Sequence, residues 1–216
     1  FRAPRSNFNA AAEQSFLDEV AEAMGKDPIQ MRLDLLKKAK ENPVGKNNDY
    51  DANRYAGVLE LLKEKSGWGK PENAGKKRGV AAYFCHASYA GHVVDMVMRD
   101  GQPYVESVTS AVDCGVVVNP DAARNMVQGA VVDGIGQSFY GALTHKDGAA
   151  EQNNFHNYRM IRHNEAPKKI EVHFVESDID PTGLGEPLFP PVFGTVANVL
   201  FKTTGKRYYN QPFKVE

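Results

Sequence analysis

A chain of 216 residues, 42% hydrophobic and 25% charged, is long enough for one domain or two small ones and can bury a core. Its 26 basic and 27 acidic residues are interspersed and sum to a formal net charge of −1, which gives no broad surface for nucleic acid or membrane. The two cysteines, Cys85 and Cys114, are too few and too isolated for a disulfide framework, a zinc site or a cysteine-ligated iron–sulfur cluster, so any such centre belongs to another chain. No apolar run reaches the roughly 18 residues of a membrane span.

The opening "FRAPRSNFNAAAEQSF" lacks an initiator Met and reads as a loop, so the chain is expected to be a piece of something larger. From Phe8 onward, Ala12, Phe16, Val20 and Met24 recur every four positions, a helical stripe that ends at Gly25. Asp27, with Pro28 behind it and Gln30 three residues on, caps a second helix that carries Ile29, Leu33 and Leu36 and ends near Lys40. The polar stretch "ENPVGKNNDYDANR" is a loop, after which Tyr55, Val58, Leu59 and Leu62 mark a third helix stopping before Gly67. Residues 1–67 are thus expected as one helical segment.

Beyond the basic linker "GKPENAGKKRG", the stretch "VAAYFCHASYAGHVVDMVMRDGQPYVESVTSAVD" alternates around an Asp100-Gly101 turn and reads as an antiparallel β-meander. Asn119-Pro120 starts a long helix through "DAARNMVQGAVVDGIGQSFYGAL", with Gly129, Gly134 and Gly136 inside it. An interior glycine costs about 1 kcal/mol against alanine, so three point either to close approach of a ligand or to tight helix packing. A hairpin follows around Asp147-Gly148, then a final strand "KKIEVHFVES". The last helix runs from Pro190-Pro191 through Val192, Val196, Val199 and Leu200 to Gly205. The expected fold is α+β: N-terminal helices, the β-meander with the long glycine-containing helix, and a C-terminal helix, residues 78–216 forming a mixed α/β segment.

Just ahead of that last helix, "GLGEPLFPP" sets one carboxylate, Glu186, after Gly183 and Gly185. The glycines allow backbone angles closed to other residues and close approach to a ligand. Locally, Glu186 reads either as a solvated carboxylate near a positive helix end or as a functional group at the tip of a turn.

Three stretches, "FRAPRSNFNAAAEQSFLDEVAEAMGKDP", "AVDCGVVVNPDAARNMVQGAVVDGIG" and "PTGLGEPLFPPVFGTVANVLFKTTGKR", in this order and spacing, resemble the molybdenum-binding subunit of the xanthine dehydrogenase and aldehyde oxidase family. The nearest type is isoquinoline 1-oxidoreductase. The resemblance covers essentially the whole chain and implies the C-terminal part of such a subunit, with an upstream part carrying further glycine-rich loops. It implies molybdopterin with molybdenum, in the cytosine dinucleotide form by likeness to bacterial members, and 2Fe-2S clusters on a separate small subunit. The implied reaction inserts water-derived oxygen at a C–H bond of a small N-heterocycle or aldehyde, and relatives of this type point to the periplasm. A noncatalytic cofactor-binding or assembly module of the same fold is the rival reading, against which the intact Glu186 and Arg2 count.

The same resemblance implies site residues. Glu186 matches the glutamate of the Gly-x-Gly-Glu motif, formed with Gly183 and Gly185, which takes a proton from a metal-bound hydroxide. Burial against Leu184, Leu188 and Phe189 is expected to raise its pKa toward working pH. Arg2 matches an arginine loop at the molybdenum site, where it could hold substrate or a cofactor oxygen. Ala3-Pro4 stands where xanthine-oxidising members have a glycine and an aromatic residue, so stacking on a purine is not implied; Arg5 is the alternative cation. Gln128 and Gly129 match the glutamine and helical glycine that meet the pterin, to which an amide offers donors and an acceptor. No metal ligand is assigned. His86, His92, His145, His156, His163 and His173 show no metal-ligand spacing and read as ordinary surface or core histidines, and Cys114 as a small buried thiol.

Overall fold

The computed structural model of the protein describes residues 2–43 and 50–215. Three helices come first: α1 (Ser6–Ala23), α2 (Pro28–Glu41) and α3 (Ala52–Ser66). Then β1 (Lys77–Cys85), β2 (Ser88–Arg99) and β3 (Gln102–Asp113) form the antiparallel meander. Helix α4 (Pro120–Phe139), the small hairpin β4 (His145–Lys146) and β5 (Ala149–Ala150), β6 (Lys169–Phe174) and helix α5 (Pro190–Thr204) complete the α+β fold. Strand β6 joins the meander in parallel beside β3, giving the sheet order β1-β2-β3-β6. The crossover through α4 supplies the length that a parallel return requires.

The two-residue period of the strands gives the sheet two apolar faces. Val80, Ala82, Tyr89, Val93 and Ala111 pack against Ile29 and Leu36 of α2 and Val58, Leu59 and Leu62 of α3. Ala90, Val94, Val108 and Val112 on the other face meet Val127, Val131 and Ile135 of α4 and Val192, Val196 and Val199 of α5. The sheet is therefore a middle layer between helices. The segment 1–67 shares its core with the segment that follows, since α1 packs on α5 and α3 on the sheet.

Asp27 caps α2 by accepting from the N–H groups of Ile29 and Gln30, 3.0 and 2.9 Å away. The Gln30 side chain does not return to the cap and donates instead to Asp34. Helix α3 starts at Ala52 under an Asp51 cap, and Gly67 and Gly205 close α3 and α5 in the left-handed conformation, as their positions predict. Residues 44–49 of the expected loop lie outside the described residues.

Two helices differ from their sequence patterns. In α1 the stripe Phe8, Ala12, Phe16 and Met24 is exposed, and the buried face is Asn7, Ala10, Gln14, Asp18 and Ala21. Polar groups wait for that face: Gln14 Oε1 accepts from Arg32 Nε at 3.0 Å and from the Ala82 N–H at 3.3 Å, and Asp18 pairs with Arg207 at 2.8 Å. Hydrogen-bond satisfaction, not apolar area, sets the rotation of this helix. In α5 every residue from Pro190 to Leu200 is buried, more than one stripe, because α1, α4 and the sheet surround it. Helix α4 ends at Phe139, four residues short of the pattern, and two of its glycines are packing devices. A Cβ on Gly134 would lie 2.7 Å from Val192, and one on Gly136 would lie 2.9 Å from Ile161.

Candidate active site

Glu186 lies four residues ahead of α5, in a turn closed by the Phe189 N–H donating to the Glu186 carbonyl at 3.0 Å. Neither Gly183 nor Gly185 takes a positive φ, so the expected left-handed backbone is absent. Close approach explains Gly183 instead: a Cβ there would sit 2.9 Å from the His86 carbonyl oxygen, to which the Gly183 N–H donates at 3.2 Å. A Cβ on Gly185 would meet nothing within 4 Å, which leaves the loop open beside Glu186.

The chain start is drawn onto this loop. Arg2 Nε and Nη2 both donate to the Gly185 carbonyl, at 2.9 and 2.6 Å, and Nη1 lies 3.6 Å from Asp133. The guanidinium also stands 5.7 Å from the Phe189 ring centre. The Ala3 N–H donates to Glu186 Oε1 at 2.9 Å. Ala3 has φ of 48°, in the left-handed region that favours glycine. Arg5 is exposed at the start of α1, so Arg2 is the cation that reaches the loop.

The third wall is the turn between β1 and β2. His86 Nε2 lies 2.8 Å from Glu186 Oε2. The two side chains are 48% and 36% exposed, so the carboxylate is accessible from outside. Both its oxygens face nitrogen groups, while Leu188 and Phe189, expected as apolar cover, are buried in the core between α4, α5 and the sheet. One histidine also supports the loop from below. His92 is fully buried on β2, its Nε2 donating to the Leu188 carbonyl at 2.8 Å and its Nδ1 2.8 Å from Ser110 Oγ. Burial pushes its pKa from the ordinary value down to about 4, against the opposing pull of the Leu188 bond, so the ring is neutral.

Gln128 and Gly129 stand along α4, on a groove of about 790 Å³ that also touches Asp133, Gln137, Met160 and His163. A Cβ on Gly129 would meet nothing within 4 Å, so this glycine leaves the groove wall open, whereas Gly136, also in the groove, is packed against Ile161 and Gly134 against Val192. Gln128 Nε2 makes one long contact, 3.4 Å, to the Ile170 carbonyl. Asp133 links the groove to the Glu186 loop through its ion pair with Arg2, which donates to the Gly185 carbonyl. The structure thus brings Arg2, Ala3, Gly185 and Glu186 together, with Gln128 and Gly129 one step away along α4. Cys114 is buried, and burial raises its thiol pKa with Asp113 adding to the shift.

From the sequence His86 and His92 read as ordinary surface or core histidines; His92 is a core histidine, whereas His86 stands against Glu186. No spacing marks either one; the signal was the two-residue gap in the alternating pattern at His86-Ala87, which carries none of the usual turn residues.

Residues 13–167 match the family model of the molybdopterin cofactor-binding domain. The chain belongs to this family. It is 31% identical over 215 residues to a membrane-bound aldehyde dehydrogenase [pyrroloquinoline-quinone] of Gluconacetobacter polyoxogenes, covering 93% of this chain and 27% of the relative. It is 25% identical over 209 residues to isoquinoline 1-oxidoreductase subunit beta of Brevundimonas diminuta, covering 94% and 25%. The chain therefore spans about a quarter of the length of these relatives. Among solved structures, the aldehyde oxidoreductase of Desulfovibrio gigas aligns over 59% of this chain and 16% of that one, at 18% identity and a TM-score of 0.49. The resemblance to molybdenum-binding subunits drawn from the three motifs stands on the family match and these relatives.

The residues present fit such a cofactor. The groove offers amides at Gln128 and Gln137 and a bare backbone at Gly129, with the Arg2 cation beside it on Asp133, the donors and acceptors that a pterin edge and its anionic groups call for. Among the described residues no group of three or more His, Cys, Asp or Glu is placed to hold a metal ion.

Proposed function

We propose that this chain forms the base-bearing part of a molybdenum hydroxylase that oxidises an N-heterocycle or an aldehyde at a C–H bond with water-derived oxygen. The observation that carries the reading is the Glu186 carboxylate, held between the Ala3 N–H and His86 at an open loop beside Arg2. When bound, the molybdopterin, in this proposal the cytosine dinucleotide form, supplies the two-electron chemistry. The chain supplies orientation and acid–base function, the usual division between a protein and a redox cofactor. Glu186 would receive, at a carboxylate oxygen, the proton of the water-derived oxygen as that oxygen bonds the substrate carbon, the broken C–H bond giving up its electron pair in the two-electron oxidation that the cofactor supplies. Arg2 braces the loop through the Gly185 carbonyl and sets a positive charge beside the developing negative charge. Gln128 and Gly129 form the cofactor-facing wall. Electrons leave through 2Fe-2S clusters on a separate small subunit, the upstream part of the molybdenum subunit closes the site over the substrate, and the assembly works in the periplasm.

Glu186→Gln in the complete enzyme tests the base. The change keeps size and removes proton acceptance, and general-base catalysis contributes about 10² to 10⁴ in rate, so single-turnover reduction at matched molybdenum content should fall by at least about 10². A variant within about threefold of wild type, far short of that range, refutes the reading.

A further inference from the structure

Five residues other than glycine take a positive φ among the described residues: Ala3, His86, Ala87, Asp100 and Asp147. Asp100 and Asp147 sit in Asp-Gly hairpin turns, where the local sequence is suited to it. Of the other three, Ala3 and His86 meet one carboxylate and Ala87 shares the His86 turn. Ala3 donates its N–H to Glu186 Oε1, and His86, joined to Ala87 in the β1–β2 turn, brings Nε2 to 2.8 Å from Oε2. Such conformations are unfavourable for residues with a Cβ and persist only where surrounding contacts over-determine them, which is typical of functional sites.

Contacts from two sides hold this turn. The His86 carbonyl accepts from the Gly183 N–H, and the Ser88 hydroxyl bonds the Gly183 carbonyl and lies 2.7 Å from Thr182 Oγ1. From the other side Arg54 of α3 donates to the Ala87 carbonyl at 3.2 Å while its Nη2 pairs with Asp113 at 2.7 Å. A simpler hairpin would place Asn-Gly at these two positions and avoid the unfavourable angles. This one places an imidazole against the base.

We infer that His86 is the positioning residue of Glu186. The inference rests on the reading of Glu186 as a base. A carboxylate accepts only, so the ring nitrogen facing it is the one that carries hydrogen. That contact fixes Oε2, and the Ala3 N–H fixes Oε1, so a glutamate with three rotatable bonds holds one rotamer at an open loop. A base held in one orientation retains the near-attack geometry that a mobile carboxylate loses.

Two substitutions separate this role from that of a turn residue. His86→Asn keeps a residue that tolerates the left-handed backbone but is too short to reach Oε2, and His86→Gln returns an amide N–H at about the reach of Nε2. In the complete enzyme at matched molybdenum content, H86N should lower the single-turnover rate by about 10-fold to 100-fold with KM within about twofold, and H86Q should recover most of the loss. In the 216-residue chain without cofactor, ring ¹⁵N shifts should assign His86 to the Nε2–H tautomer and should change in Glu186→Ala. A full rate in H86N, an H86Q as slow as H86N, or a tautomer indifferent to Glu186→Ala each overturns the inference. Loss of activity in Glu186→Gln beside a full rate in H86N defeats this inference alone, whereas full activity in Glu186→Gln defeats the base reading itself.

Discussion

Acidifying the protein from about pH 7.5 to about pH 4.5 should protonate His92 in the unfolded chain before the folded one, because burial holds the native ring near 4 and the unfolded ring titrates near 6.5. The unfolded state then binds the extra proton, so stability is complete above the unfolded value and falls as pH drops from about 6.5 toward about 4, levelling below that. At about 1.4 kcal/mol per pKa unit, a depression of about 2.5 units gives a ceiling of about 3 kcal/mol, of which about 2 to 3 appears between these two pH values. The perturbation is His92→Gln, which keeps an N–H for the Leu188 carbonyl and removes the titration. Urea unfolding of both proteins across the range isolates the effect, since the carboxylates common to both cancel in the difference. The variant costs stability at neutral pH through imperfect bonding to Ser110 and Leu188, and that cost should shrink by about 2 to 3 kcal/mol on acidification. Parallel stability curves for wild type and variant would refute the assignment of His92 as the neutral prop of the Glu186 loop.

Two glycine positions on α4 should respond in opposite directions. Gly129→Ala fills open space in an exposed helical position and should raise stability by about 0.5 to 1 kcal/mol while reducing cofactor retention in the complete enzyme, whereas Gly134→Ala drives a methyl into Val192 and should lower stability by about 1 to 3 kcal/mol. Thermal unfolding of the pair, with molybdenum content for Gly129→Ala, checks both signs. Ala87→Gly should stabilise the chain by up to about 1 kcal/mol, since an exposed residue at φ of 57° gains from losing its Cβ, less the extra entropy of glycine in the unfolded state. A loss of stability in Ala87→Gly by denaturant unfolding would show that the turn is not under backbone strain.

Much of the fold follows from local pattern. The caps at Asp27 and Asn119, the turns at Asp100-Gly101 and Asp147-Gly148 and the ends at Gly67 and Gly205 are fixed by residues that act on their own neighbours. Alternation in the meander likewise survives because both sheet faces are covered by helices. Pattern fails where the partner is distant. The apolar stripe of α1 is a true helical period, yet Gln14 and Asp18 turn inward because Arg32, Ala82 and Arg207 present polar groups on that side. A periodicity says which residues share a face, and only the neighbours decide where that face points.

The candidate site divides in the same way. Local residues place Glu186 after a pair of glycines and ahead of a helix, and the motifs, in order, carry the family to which the chain belongs. The remainder depends on contacts between distant segments. Arg2 and Gly185 meet across 183 residues, His86 arrives on a hairpin with no turn signature, and His92 props Leu188 from inside the sheet layer. Gly129, Gly134 and Gly136 look alike in one helix, and only the presence of Val192 and Ile161 opposite two of them separates close packing from open space. Hydrogen bonds and close contacts between remote segments depend on the completed core that aligns them, and no local spacing in the chain carries that information.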